Sequence, residues 1–83
     1  MNETMIYTVK EVATILHSSP NYVYELIKKG YLPVIKLGSI KILKSTLETF
    51  LLENQGKDLS DLENIKPLKY SELGNSNVSI NNF

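Results

Sequence analysis

Apolar positions return along the N-terminal part of the chain in short helical stripes. Val9, Val12, Ala13 and Leu16 stand at i, i+3, i+4 and i+7, the spacing of one buried helix face. Thr8 and Glu11 frame the start of that run as a capping box, in which two side chains satisfy two backbone N–H groups reciprocally. The pattern predicts a first helix over 8–16, about two turns long and too short to hold without tertiary partners. Residues 1–6 read as a short leader ahead of it.

A second stripe follows the turn 17-HSS-19. Serine is a good N-cap and proline is favoured at the first helical position, so Ser19-Pro20 opens a helix expected over 19–29. Val23, Leu26 and Ile27 make its apolar face. At about 100° per residue, Asn21, Glu25 and Lys28 point the other way, with Tyr22 and Tyr24 flanking them. Lys28 and Lys29 suit the negative end of the helix dipole, Gly30 is a natural residue just past the helix, and Pro33 stops it from resuming.

The pattern then changes period. In 34-VIKLGSIKIL-43, Gly38-Ser39 separates two β-rich runs and predicts a two-residue hairpin. That turn pairs Leu37 with Ile40, Lys36 with Lys41 and Ile35 with Ile42, placing the apolar pairs on one face and both lysines on the other. Like charges facing each other cost stability, so either the exposed lysines splay apart in water at small cost or a polyanion lies against that face, and the register favours the second. A third helix is expected from about Lys44 to Asn54, with Ser45 and Glu48 as a second capping box and Leu47, Phe50 and Leu51 as its stripe. Gln55-Gly56 ends it. Beyond that, 58-DLSDLENI-65 predicts one or two amphipathic helical turns through Leu59, Leu62 and Ile65. The segment 75-NSNVSINNF-83, with four asparagines and no charge, reads as disordered. The expected organisation is a domain over 1–55 and a tail over 56–83, partly helical and then disordered, with the domain able to fold without the tail.

The expected fold class is mainly α with a small β-hairpin, in the order helix, turn, helix, hairpin, helix. Two short helices joined by a tight turn are the helix-turn-helix unit, whose second helix enters the DNA major groove. Charge changes this picture in one respect. The 83 residues carry nine basic and nine acidic groups, yet the window between Glu25 and Glu48 holds Lys28, Lys29, Lys36, Lys41 and Lys44 and no acid. A clustered basic patch, more than the overall balance, is the footprint of a nucleic-acid partner. All nine basic residues are lysines, so bidentate reading of guanine by a guanidinium is excluded.

The candidate DNA-binding residues are therefore Ser18, Ser19, Asn21, Tyr22, Tyr24, Lys28, Lys36, Ser39 and Lys41. Asn21 is suited to bridge adenine N6 and N7. Tyr22 and Tyr24 can donate to phosphates or touch thymine methyls, and equally can pack at the edge of a small core. Ser18 and Ser19 can bind phosphate, although capping alone explains Ser19. Lys28, Lys36 and Lys41 fit phosphate contacts better than base readout, and the hairpin at 34–43 would form a wing along the backbone or minor groove.

Taken together, YTVKEVA, VYELIKKGYLP, the LGS hairpin and LETFL make the segment 7–53 resemble the excisionase-type winged helix-turn-helix domains related to the MerR superfamily, over about 47 of the 83 residues. The resemblance implies a small DNA-binding protein, often of mobile elements or phages, that bends DNA and directs a tyrosine or serine integrase towards excision, or that acts as a small transcription regulator. The chain departs from the family's pattern at His17, where a small residue is usual, and at Pro20 and Glu25, where basic residues are common. It departs again at 41-KIL-43, where arginine and proline are usual. Glu25 can accept from cytosine N4, pair with Lys29 or weaken binding; the i, i+4 spacing favours the pairing.

Other functions find little support. There is no cysteine and only one histidine, so neither a thiol nor a metal-ligand set is present and no cofactor is expected. The carboxylates are scattered, without the paired environments of acid–base catalysis, and no enzyme or small-molecule substrate is expected. No apolar run approaches the roughly 20 residues that cross a bilayer, so a cytoplasmic location without membrane contact is expected. One protomer reads only a few base pairs, which implies cooperative self-association on DNA. A protein-interaction module that uses the tail and ignores DNA is the rival of a different class.

Overall fold

The computed structural model describes residues 4–68. Its first element was not foreseen. Residues Ile6–Thr8, expected to close a leader and open a helix, form a strand, β1. Thr8 then caps helix α1, Val9–Ile15, and the capping box is complete: the Thr8 hydroxyl accepts from the Glu11 N–H at 3.1 Å and the Glu11 carboxylate from the Thr8 N–H at 2.9 Å. The helix ends in a Schellman motif, with Ser18 N–H bonded to the Ala13 carbonyl and His17 N–H to that of Thr14. His17 occupies the left-handed position at φ 56°, which glycine normally fills.

Helix α2 spans Pro20–Lys28, with the Ser19 hydroxyl accepting from the Tyr22 N–H at 3.2 Å and proline inside the first turn as expected. Its end is a second Schellman motif around Gly30 at φ 85°, with Tyr31 N–H on the Leu26 carbonyl and Gly30 N–H on that of Ile27. The two motifs reverse the chain at each end of α2, so its length and direction are set by hydrogen bonds close in sequence.

Strands β2, Ile35–Leu37, and β3, Ser39–Leu43, form the hairpin, and β1 pairs on the other side of β3 to give the order β1-β3-β2. The register corrects the expected one. Leu37 lies opposite Ser39, Lys36 opposite Ile40 and Ile35 opposite Lys41, with Gly38 alone reversing the chain at φ 79°. A slip of one residue sends each side chain to the other face. Lys36 thus shares a face with Ile40 and Ile42, and Lys41 shares the other with Ile35 and Leu37, so the two lysines do not face each other. The slip is tolerated because β2 is an edge strand that buries no residue, so no core contact holds it in register.

Helix α3 spans Lys44–Glu53 and follows β3 without a turn. The second capping box is not formed. Leu43 is the N-cap and makes no side-chain bond, while Lys44 N–H donates to the Met5 carbonyl at 2.8 Å. Pairing with β1 carries the strand up to the helix and leaves Ser45 already inside it. Leu47 and Phe50 are buried as expected, whereas Leu51 stays 43% exposed.

Val9, Val12, Ala13, Val23, Leu26, Leu32, Ile42, Leu47 and Phe50 form one cluster. Fully burying such a side chain stabilises the fold by about 1.5–3 kcal/mol. Leu32, in the link after α2, is 1% exposed although it belongs to no periodic stripe. The fold is a winged helix-turn-helix: α1 and α2 are the unit, β2–β3 the wing, and α3 completes the core with Leu47 and Phe50.

The segment after α3 also differs from expectation. Among the described residues, up to 68, it forms no helix. Lys57–Asp58 (β4) pairs antiparallel with Lys66–Pro67 (β5), and the loop between them packs Leu59 and Leu62 against the core cluster. Asp58 accepts from Ser60 N–H and Asp61 from Glu63 N–H, two side-chain turns that compete with helix formation. The asparagine-rich segment 75–83 and the start of the leader lie outside the described residues. Among those described, no helix is long and apolar enough to cross a membrane.

Candidate nucleic-acid interface

Helix α2 is anchored by Val23 and Leu26, both fully buried, with Ile27 partly buried beside them. Counting about 100° per residue from that anchor divides the rest of its surface into two stripes. Asn21, Tyr24 and Lys28 make one, and all three are exposed, Tyr24 by 49%. Tyr22, Glu25 and Lys29 make the other, and they border a cleft whose far wall is Ser60, Asp61, Leu62 and Glu63. The 57–68 segment therefore lies along one flank of α2 and leaves the other open.

Tyr22 belongs to the covered flank. Its hydroxyl donates to the Leu59 carbonyl at 2.6 Å, and its ring is packed against the core cluster. Burial, and then the negative charge of Asp58, push the phenol above its ordinary range. Of the two readings open for Tyr22, this geometry shows the packing one, with its hydroxyl committed to Leu59 and off the Asn21–Tyr24–Lys28 stripe. Lys29 is also engaged. Its ammonium meets the Glu63 carboxylate at 2.5 Å, which, ahead of the weaker pull of Glu25, raises its pKa. The expected Glu25–Lys29 pair is thus replaced by Lys29–Glu63, because the folded-back segment brings a carboxylate into direct contact.

Ser18 and Ser19 are exposed at the N-terminal end of α2, where Ser19 uses its oxygen on the cap. On the wing, Lys36 and Ser39 are exposed and Lys41 is half-buried. The Lys41 ammonium donates to the Ser39 hydroxyl at 2.8 Å and more loosely to the Leu37 carbonyl at 3.4 Å. It is held over the wing tip, on the face it shares with Leu37, which is 55% exposed. The structure therefore groups Ser39 with Lys41 and separates both from the face of Lys36.

Leu59 and Glu63 were missed from the sequence as partners of α2. The signal that would have flagged their loop is the repeated aspartate-initiated turn in 58-DLSDLE-63, which a helical reading of its leucines passed over. Asp58 itself is lowered by hydrogen bonds from the Ser60 hydroxyl and N–H, which fixes the start of that loop.

A family model described as a helix-turn-helix domain matches residues 6–55. That stretch runs from β1 to just past α3. The chain is also similar to the Bacillus subtilis (strain 168) uncharacterized protein YvgK, at 55% identity over 38 residues. The similarity covers 46% of this chain and 12% of that protein, so the chain spans a small part of its relative's length. No solved structure matches.

Proposed function

The chain belongs to the helix-turn-helix domain family, a DNA-binding fold, and from that premise we propose a sequence-specific accessory factor for site-specific recombination. In this reading α2 lies in the major groove and presents Asn21 and Tyr24 to base edges, with Lys28 on a phosphate. Ser18 and Ser19 meet a phosphate at the start of the helix, where N–H groups and the dipole favour an anion. The wing follows the adjacent backbone or minor groove through Ser39 and Lys41, with Lys36 on its outer edge. Two or more protomers bind neighbouring sites cooperatively and direct an integrase towards excision of a mobile element.

The observation that carries the reading is the Asn21–Tyr24–Lys28 stripe, exposed on a helix whose opposite side is locked by Val23 and Leu26. Selection from a random duplex pool tests it. The expected result is enrichment of a short motif, with sequence preference at one or two positions relaxed in Asn21→Ala. Absence of enrichment, together with absence of binding to any duplex at low salt, overturns the DNA reading. A reconstituted excision reaction with the integrase encoded beside the target site tests the recombination role. Motif binding without stimulation of excision would leave a transcription regulator using the same surface.

A further inference from the structure

Lys29 lies one residue beyond α2, next to Lys28, where a second phosphate contact would be expected on charge alone. Instead its ammonium is in a salt bridge with Glu63. The cleft around it is lined by three carboxylates, Glu25, Asp61 and Glu63, against the one ammonium. The loop that delivers Glu63 is pinned to the same helix by the Tyr22–Leu59 hydrogen bond and by the packing of Leu59 and Leu62 on the core. One flank of α2 thus carries a net negative surface, while the other carries Asn21, Tyr24 and Lys28.

We propose that the 57–68 segment is a specificity element of the DNA interface, in which Glu63 withholds Lys29 from the phosphate backbone. The inference rests on the DNA-binding reading above. A lysine on a phosphate strengthens binding to every sequence alike, whereas base contacts separate one sequence from another. Because Lys29 stands on the covered flank, its phosphate contact would form in a duplex docked with α2 rolled towards the segment and not in one read through Asn21 and Tyr24, so sequestering it weakens sequence-independent docking alone and raises the ratio of specific to non-specific binding. The carboxylates on that flank add repulsion for a duplex docked with α2 rolled towards the segment, which favours docking through the open stripe. Tyr22 and Leu59 are positioning residues in this scheme: they place Glu63 and touch no DNA.

The test is a titration of the full chain by fluorescence anisotropy against a labelled random-sequence duplex and the selected duplex, across a salt series. Glu63→Gln should bind the random duplex several-fold more tightly and steepen its log–log salt slope by about 0.9, the release expected for one added phosphate contact. The specificity ratio should fall in parallel. Tyr22→Phe should move both readings in the same direction by loosening the loop. Lys29→Gln should leave the wild-type slope unchanged and should abolish the effect of Glu63→Gln in the double variant. Wild-type slope and affinity in Glu63→Gln, or a slope reduced by about one in Lys29→Gln alone, would overturn the inference while the DNA reading stands. Failure of the wild type to bind either duplex would remove the DNA reading itself, and the inference with it.

Discussion

Tyr22 and Leu59 are 37 positions apart, yet the phenol of one donates to the backbone carbonyl of the other at 2.6 Å. This bond fastens the segment after α3 to the helix proposed to read DNA. A hydrogen bond of this kind contributes about 0.5–1.5 kcal/mol net. Tyr22→Phe keeps the ring's packing and should cost about 1 kcal/mol in urea unfolding. Amide exchange should show the loss of protection concentrated at Ser60 and Leu68, whose N–H groups bond to Asp58 and Gly56. Uniform loss across α1 and α2 would mean that the bond does not serve the segment in particular.

His17 holds a left-handed conformation that costs residues with a Cβ about 1–2 kcal/mol. His17→Gly should raise stability by about 0.5–1 kcal/mol, since relief of that strain exceeds the added entropy of the unfolded chain. His17→Val should lower it, because a β-branched residue fits this region worst. Thermal melts of the two variants should fall on opposite sides of the wild type, and the same sign for both would contradict the φ of 56°.

Leu32 is 1% exposed in the link between α2 and the wing. Leu32→Ala should cost about 2–5 kcal/mol, as for other fully buried leucines, which is enough to unfold much of so small a domain. Exposed Leu52, which is 67% accessible, should tolerate alanine within about 0.5 kcal/mol. Circular dichroism during urea titration separates the two.

Docking of the 57–68 segment should depend on pH at both ends of the scale. Asp58 sits below its ordinary value of 3.8, so its contribution is present above that value and is lost as pH falls through the lowered one. Tyr22 and Lys29 sit above their ordinary values of 10.0 and 10.5. Their contributions are complete below those values and are lost as pH rises through the raised ones. The methyl resonances of Leu59 and Leu62 should hold folded positions between roughly pH 4 and pH 10 and move towards random-coil positions outside it. Constant shifts across the acid limb would remove Asp58 from the account.

Truncation after Gln55 removes Leu59 and Leu62 from the core's edge and exposes Tyr22. The shortened chain should retain the helix-turn-helix but lose about 2 kcal/mol, the share expected from two partly buried leucines. Full stability of 1–55 in chemical denaturation would make the segment a passive appendage.

The helix-turn-helix was legible because its determinants are local. Thr8 with Glu11, Ser19 with Pro20, and Gly30 each act within one turn of the chain, and the stripe of Val23 and Leu26 is read by counting residues. His17 as a tolerant left-handed residue was legible for the same reason. The same count put Asn21, Glu25 and Lys28 opposite the core with Tyr22 and Tyr24 beside them, but not that Tyr22 and Glu25 border the 57–68 segment. Ser45 and Glu48 match a capping box equally well and form none, because β1 pairs with β3 up to Leu43 and moves the N-cap two residues earlier, from Ser45 to Leu43.

What stayed hidden depends on partners distant in the chain. Ile6 meets Leu43, Glu63 meets Lys29 and Leu59 meets Tyr22 only after the core has assembled. The wing's register belongs with these. An edge strand that buries nothing is fitted to the turn and to its neighbour, and one residue of slip was enough to put Lys36 and Lys41 on opposite faces. Periodicity and capping chemistry thus wrote the helices, and the side of α2 turned away from the core, into the residues themselves. Long-range packing, whose energy comes from contacts that exist only in the folded chain, chose which flank of α2 is covered and which lysine is neutralised.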